Sequence, residues 1–256
     1  MKRFWIASCL LTAAATANAA VTSSTQHGPE SDSLDAQIES GDLIASLIGT
    51  ELTGDLGWHP ANTAPADQLA ALTDGAGILG SGLTGLLNDF PPAGEPTKRV
   101  QYDLAAAADV GAIKVLTGNN GKDGRVFSTF TVYTSTDNGG SFDLLGYFES
   151  DLPGTVNAGD FGSTLVTVND DASPVLAAGV TNLQFNFYGV DNTGGQYRDP
   201  FDGVNPFNGI DDGLSAPNTS PLLFEIDVVQ AVPEPASVLL LAGLAAGACG
   251  LVRRRA

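Results

Sequence analysis

The fold is decided by residues 126–148, which read VFSTFTVYT over 126–134, Asp137-Asn138-Gly139-Gly140 at the centre, and Phe142 to Phe148 beyond. The first run is rich in Val, Phe, Thr and Tyr, side chains that suit a pleated, half-buried surface. Asp-Asn-Gly-Gly is a turn sequence for positive φ, so the segment predicts a β-hairpin.

Outward from the hairpin the period remains two. Val100–Leu104, Val110–Leu116 and the short Leu165–Val168 read as strands. In Val180–Tyr188, Leu183, Phe185 and Phe187 oppose Gln184, Asn186 and Tyr188. In Leu222–Val229, Leu222, Phe224, Ile226 and Val228 oppose Leu223, Glu225, Asp227 and Val229. Short strands without amphipathic helices between them predict an all-β, antiparallel sandwich. Upstream, Ser33–Leu52 has partly helical spacing broken by Gly41 and Gly49, and predicts a short helix or an irregular start. Gly75–Gly94 reads as a long loop, and the polar residues 20–32 as a linker. The sandwich is thus expected over 33–230.

The chain has 256 residues, 11 of them Lys or Arg and 29 Asp or Glu, for a formal net charge of −18. Such a balance excludes a nucleic-acid binder, which needs cations to neutralise phosphates. With 43% hydrophobic and only 16% charged residues, there is enough apolar material for a core. The charge is uneven. Lys2, Arg3 and Arg253–Arg255 hold five of the cations, so segment 21–231 keeps six basic and 28 acidic residues, a net −22.

The ends read as addresses. Lys2-Arg3, an apolar run from Phe4 to Ala17 and Ala17-Asn18-Ala19 have the composition of a cleavable secretory signal over residues 1–19. Near the C-terminus, Val232-Pro233-Glu234-Pro235 precedes the 17-residue apolar stretch Ala236–Val252, and Arg253-Arg254-Arg255 follows. Seventeen residues is about the lower limit for a membrane-spanning helix, and the basic cluster orients the span with the rest of the chain outside. This arrangement over 231–256 resembles the PEP-CTERM sorting signal of Gram-negative bacteria that make exopolysaccharide. The resemblance implies an inner-membrane intermediate held by 236–252, an exosortase-type membrane protease as partner, and delivery to the cell surface or extracellular matrix. Both cysteines, Cys9 and Cys249, lie in these ends. The exported part therefore has no disulfide, and cysteine proteases, zinc ribbons and thiol redox chemistry are excluded there.

Leu72-Thr73-Asp74-Gly75, Gly124-Arg125, the run Tyr133–Phe142 and the final Phe224-Glu225-Ile226-Asp227-Val228 follow one another in an order similar to the discoidin and coagulation-factor type C branch of galactose-binding-like jelly rolls. The resemblance covers roughly residues 40–230 and departs from the branch in lacking its paired cysteines. It implies a jelly-roll sandwich, here flanked by an N-terminal signal helix and a C-terminal hydrophobic helix. It also implies a structural Ca2+ between Asp74 and Glu225. The other reading of that pair is a turn cap and a solvated strand residue.

Sugar binding needs an aromatic platform with polar groups on loops, and Trp58, His59, Asn192, Tyr197 and Arg198 are the candidates. Core packing is the alternative for Trp58. Arg125 is expected to pair with an acid. The acidic stretch Asp199–Asp212 does not match an EF-hand and reads as a turn-rich insertion. No G-x-S-x-G or H-E-x-x-H motif is present, and His59 is the one histidine expected in the folded part, so no enzyme is expected. The reading is an exported, non-catalytic module that binds carbohydrate or extracellular polysaccharide. A structural matrix protein without a small ligand, or a glycoside hydrolase, are the alternatives.

Overall fold

The computed structural model describes residues 21–77, 83–192 and 194–232. Among the described residues eight strands occur in the order β1 (Val21–Gly28), β2 (Thr50–Glu51), β3 (Lys98–Gly118), β4 (Thr129–Ser135), β5 (Asp143–Glu149), β6 (Ser163–Asp170), β7 (Ala177–Phe187) and β8 (Leu223–Gln230). All their pairings are antiparallel. The expected signal segment and everything from Pro233 onward, including the 236–252 span, lie outside the described residues. Among the described residues no helix is long and apolar enough to cross a membrane.

β3 organises the molecule. Its C-terminal half pairs with β6 on one side and β8 on the other, and β1 extends the β6 edge. Its N-terminal half pairs with β2 and β7, and β4 and β5 continue from β7. One strand therefore serves both layers of an antiparallel sandwich. The sequence suggested two strands, 100–104 and 110–116, because Ala105–Ala108 breaks the apolar alternation. That alanine run lies where the β3–β7 register slips, between Asp103 and Val110, and its small side chains let the strand bend without losing its pairing. The main core draws on both layers, with Val100, Tyr102, Phe130, Val132, Phe185 and Phe187 facing Ile113, Val115, Val166, Val168, Ile226 and Val228.

The β4–β5 hairpin forms as its sequence predicts. Asn138 and Gly139 take φ of 58° and 81°. The Asp137 carboxylate accepts bonds from the Ser135 hydroxyl and from the Ser141 amide and hydroxyl, which hold it down at about 2.

Two expectations are corrected and one is resolved between its alternatives. Residues 21–28 are not linker: they pair with β6 from Val21↔Asp170 to Gly28↔Ser163, so the sandwich begins at Val21 and not at residue 33. An edge strand can be polar because its backbone bonds, more than its side chains, hold it. His27 lies at the end of this strand, stacked on Phe161 at 4.0 Å and bonded to Thr164 and Asp151. Second, Ser33–Leu52, expected as a short helix or an irregular start, takes the irregular form: a 3₁₀ turn at Asp35–Gln37, further turns and the two-residue β2. Third, β8 is buried on both faces from Leu223 to Val228. Its free edge is covered by the 39–43 segment, where Leu43 N–H donates to Val228 O, and by Gly85, whose carbonyl accepts from Leu223. Gly85 has φ +67° and lies so close to the Leu223 carbonyl that any side chain there would collide with it.

Candidate functional site

The loops 58–60, 88–92, 189–198 and 215–220 meet, with Asp89 as their knot. Its carboxylate takes Arg125 on both oxygens, at 3.0 and 2.7 Å, accepts the Ser220 amide at 2.9 Å, and lies 3.6 Å from His59 Nε2. Arg125 thus pairs with an acid, as expected. It sits on a 3₁₀ turn, Gly124–Val126, capped by the Asp123 side chain.

The next residue, Phe90, is the unusual one. It is 75% exposed and has φ +62°. A bulky residue in the left-handed region costs roughly 1–2 kcal/mol, and here no burial offsets it. The conformation is held by the Phe90 amide, which donates to Asn218 O at 2.7 Å, and by Asp89 beside it. Asn218 N–H donates in turn to Asn192 Oδ1 at 2.6 Å, and Asn192 donates to the Ser215 hydroxyl. Arg198 also reaches Ser215, at 3.1 Å, and Gln196 at 2.9 Å. A hydrogen-bonded path therefore runs Phe90, Asn218, Asn192, Ser215, Arg198, and Asp89, the neighbour of Phe90 in the chain, has His59 Nε2 3.6 Å away. Three of the expected ligand residues, His59, Asn192 and Arg198, thus belong to one network of loops, which also fixes the backbone of an exposed aromatic residue that was not among the expected site residues. A Phe before Pro-Pro in a loop was the available signal.

The other two expected ligand residues do not join them. Tyr197 is fully buried, packed edge-on against Phe127 with its hydroxyl bonded to Thr129, and offers a ligand no face. Its backbone forms an isolated bridge with Asp191. Trp58 is half-buried against the main core. It lines a shallow 340 Å³ hollow with Ile48, Glu51, Pro65, Gln68 and Leu69. Its ring lies under the Lys98 ammonium at 4.1 Å.

Asp74 and Glu225 are in contact. The Gly75 amide donates to Glu225 Oε1 at 3.3 Å, and the Asp74 and Glu225 carboxyl groups lie close enough to shift each other's titration. Glu225 is 1% exposed. Burial pushes it up to about 9, opposed by the Gly75 bond and helped by the charges of Asp227, Asp74 and Asp42. Burial likewise raises Asp74. The reading of Glu225 as a solvated strand residue fails because the 39–43 and 74–77 segments roof it. Its Oε2 makes no hydrogen bond, and neither do Asp227 Oδ1 or the buried Tyr102 hydroxyl. Unpaired buried oxygens are costly. Two adjacent carboxyl groups, one of them with an unpartnered oxygen, are the donor type calcium takes, which needs about six to eight oxygens from carboxylates and backbone carbonyls. Among the described residues no three His, Cys, Asp or Glu side chains group to hold a metal by themselves, so backbone carbonyls would complete such a shell.

The 199–212 insertion is clasped from below. Phe207 stacks on Tyr147 at 4.8 Å, and Phe201 packs on Tyr188. Buried Asp199 accepts from Asn205 and the Phe201 amide. Glu149 sits beneath, pushed up to about 7 first by burial and then by the charges of Asp199 and Asp212, against bonds from Tyr147 and Asn208.

Residues 231–256 match the PEP-CTERM protein-sorting motif. No curated protein sequence matches the chain. Among solved structures, the chain resembles a CBM32 module of Clostridium perfringens, CpGH89CBM32-4, in complex with GlcNAc-α-1,4-galactose. The two are 10% identical, with 73% of this chain and 92% of that one covered and a TM-score of 0.35. It also resembles the CBM32-1 and CBM32-2 domains of C. perfringens ZmpB in complex with GalNAc, at 14% identity, 64% and 36% coverage and a TM-score of 0.34. A third is the family 32 module of C. perfringens NanJ in complex with galactose, at 12% identity, 57% and 98% coverage and a TM-score of 0.25.

Proposed function

We propose that the protein is an exported, surface-sorted, non-catalytic carbohydrate-binding module built as a galactose-binding-like jelly roll. Its glycan site is the loop end around Phe90. The observation that carries this reading is Phe90 itself: an exposed aromatic ring kept in a costly conformation, with its backbone tied through Asn218 to Asn192 and, by way of Ser215, to Arg198, and with Asp89 and nearby His59 on its other side in the chain. Strain without burial is retained where a ring must face outward, and a sugar's apolar face stacks on such a ring while its hydroxyls bond to the polar rim.

The PEP-CTERM tail supports export and processing by an exosortase-type protease, with 236–252 as a transient inner-membrane anchor. The net −22 of segment 21–231 repels anionic polymers, which favours neutral extracellular polysaccharide as the ligand. A structural Ca2+ on Asp74 and Glu225 belongs to the same reading. It would neutralise a carboxylate pair that otherwise has to keep a proton, and it would anchor the 74–77 turn to β8.

A glycan array on the purified protein, followed by calorimetry with the Phe90→Ala variant, tests the proposal. Binding to neutral glycans that is lost in the variant supports it. No binding at millimolar sugar, with or without calcium, would leave the structural-matrix reading in its place.

A further inference from the structure

Lys98, on β3, is one of the largest fully buried side chains, with 0% exposure. Its Nζ lies 2.9 Å from Asp55 Oδ1 and 2.8 Å from Glu51 Oε1. The Asp55 side chain is itself buried. The Trp58 ring covers the nitrogen from one side, and the Trp58 indole N–H donates to Glu51 Oε1 at 2.9 Å, fixing that carboxylate in place. Asp55 is held as firmly. Its Oδ2 accepts the Arg99 amide at 2.7 Å and its Oδ1 the Gly57 amide at 2.6 Å.

As an ion pair alone this trio is a poor investment. Two carboxylates face one ammonium, and the desolvation of a buried pair often cancels its Coulomb attraction. As a reaction centre every part has a role. The lysine amine is a nucleophile already in contact with a carboxyl group. Holding reactants at such a distance is worth effective concentrations on the order of 10⁵ M or more. The two backbone amides on Asp55 are donors to the oxygens on which charge develops during attack. Glu51, oriented by Trp58, is a second carboxylate placed to move a proton.

We propose that Lys98 and Asp55 form an intramolecular isopeptide bond, with Glu51 as the proton shuttle. Glu51 takes a proton from the Lys98 ammonium and delivers it to an Asp55 oxygen. The free amine attacks Asp55 Cγ, a second amine proton passes through Glu51 to the departing oxygen, and the C–O bond breaks. One Nζ–Cγ amide forms and one water leaves. No oxidant, reductant or activating group is needed. The burial of Lys98 and Asp55 restricts the return of that water to the amide, and a neutral amide replaces their buried charges. The bond staples the 52–57 turn to β3 in a chain with no cysteine between Cys9 and Cys249.

The test is the intact mass of the purified, folded protein, followed by digestion at aspartate, which cuts at Asp67, Asp74 and Asp89 between the two residues. The expected result is a chain lighter by one water, with the peptide carrying Asp55 joined to the one carrying Lys98. Lys98→Met and Asp55→Ala should restore the full mass. Glu51→Gln should fold, as judged by circular dichroism, yet start at the full mass and lose water far more slowly. A folded wild-type protein of full mass with separate Asp55 and Lys98 peptides overturns the proposal, even if the Lys98 variant fails to fold. So does a water loss mapped within one peptide, as from an Asp-Gly succinimide.

Discussion

Asp89 grips Arg125 through both carboxylate oxygens, at 3.0 and 2.7 Å, and this one contact ties the entrance of β4 to the loop that carries Phe90. Bidentate pairs add direction as well as energy. Both side chains are mostly buried, so truncating one leaves the other charge stranded. Arg125→Ala is expected to cost about 3 kcal/mol in urea unfolding and to weaken glycan binding by loosening the Asp89–Phe90 turn. Equal stability in the variant would show that the knot is ornamental.

Phe90 offers a sharper separation of stability from function. Phe90→Gly removes the left-handed penalty, so the unfolding midpoint should hold or rise, by up to about 1 kcal/mol. Glycan affinity should fall at least tenfold, about 1.4 kcal/mol. Joint loss of stability and binding would mean that Phe90 is a packing residue.

Glu225 sets a pH dependence. Its folded value, about 9, lies above the ordinary carboxylate range, so the folded state keeps a proton that the unfolded state releases. Its contribution is full below about pH 4.5 and is lost as pH rises toward about 9. Glu225→Gln should therefore gain on the wild type across that window in chelator. Added calcium should reverse the order by stabilising the wild type alone. Melting curves at several pH values, with and without calcium, read both effects.

Glu149 predicts a second, more local pH effect. Its value of about 7 is raised by burial and by Asp199 and Asp212. Its support of the 199–212 insertion is present in acid and is lost as pH rises through neutrality. Hydrogen exchange in 199–212 should quicken above about pH 7 in the wild type and change less in Glu149→Gln. A loop equally protected at all pH values would remove this role.

The tail makes its own prediction. A chain with Pro233, Glu234 and Pro235 all changed to Ala should accumulate at full length in the inner membrane, read by membrane fractionation and mass. Unchanged removal of the tail would sink the sorting assignment.

What could be read in advance follows from how local the signal is. The β4–β5 hairpin was legible because turn chemistry and alternation lie within one short stretch. β7 was legible because Leu183, Phe185 and Phe187 face a single core. β1 was not, because its Ser and Thr residues carry no apolar pattern and their strand character comes from β6. β3 looked like two strands because Ala105–Ala108 hides the continuity that its partners impose.

The sequence by itself determined the all-β class, the absence of cysteine between Cys9 and Cys249, the acidic charge and the sorting motif, since all are properties of composition or of contiguous residues. Tertiary structure alone decided the sites. Glu225 became buried only when distant segments roofed β8, and Tyr197 only when it packed against Phe127 and Thr129. Lys98 met Asp55 and Glu51 only because β2 pairs with β3. Phe90 is exposed in a left-handed conformation only because Asn218 and Asp89 hold its backbone where an isolated chain would not stay. Burial and strain depend on what the rest of the chain places nearby, and contacts between residues far apart in sequence leave no local pattern to read.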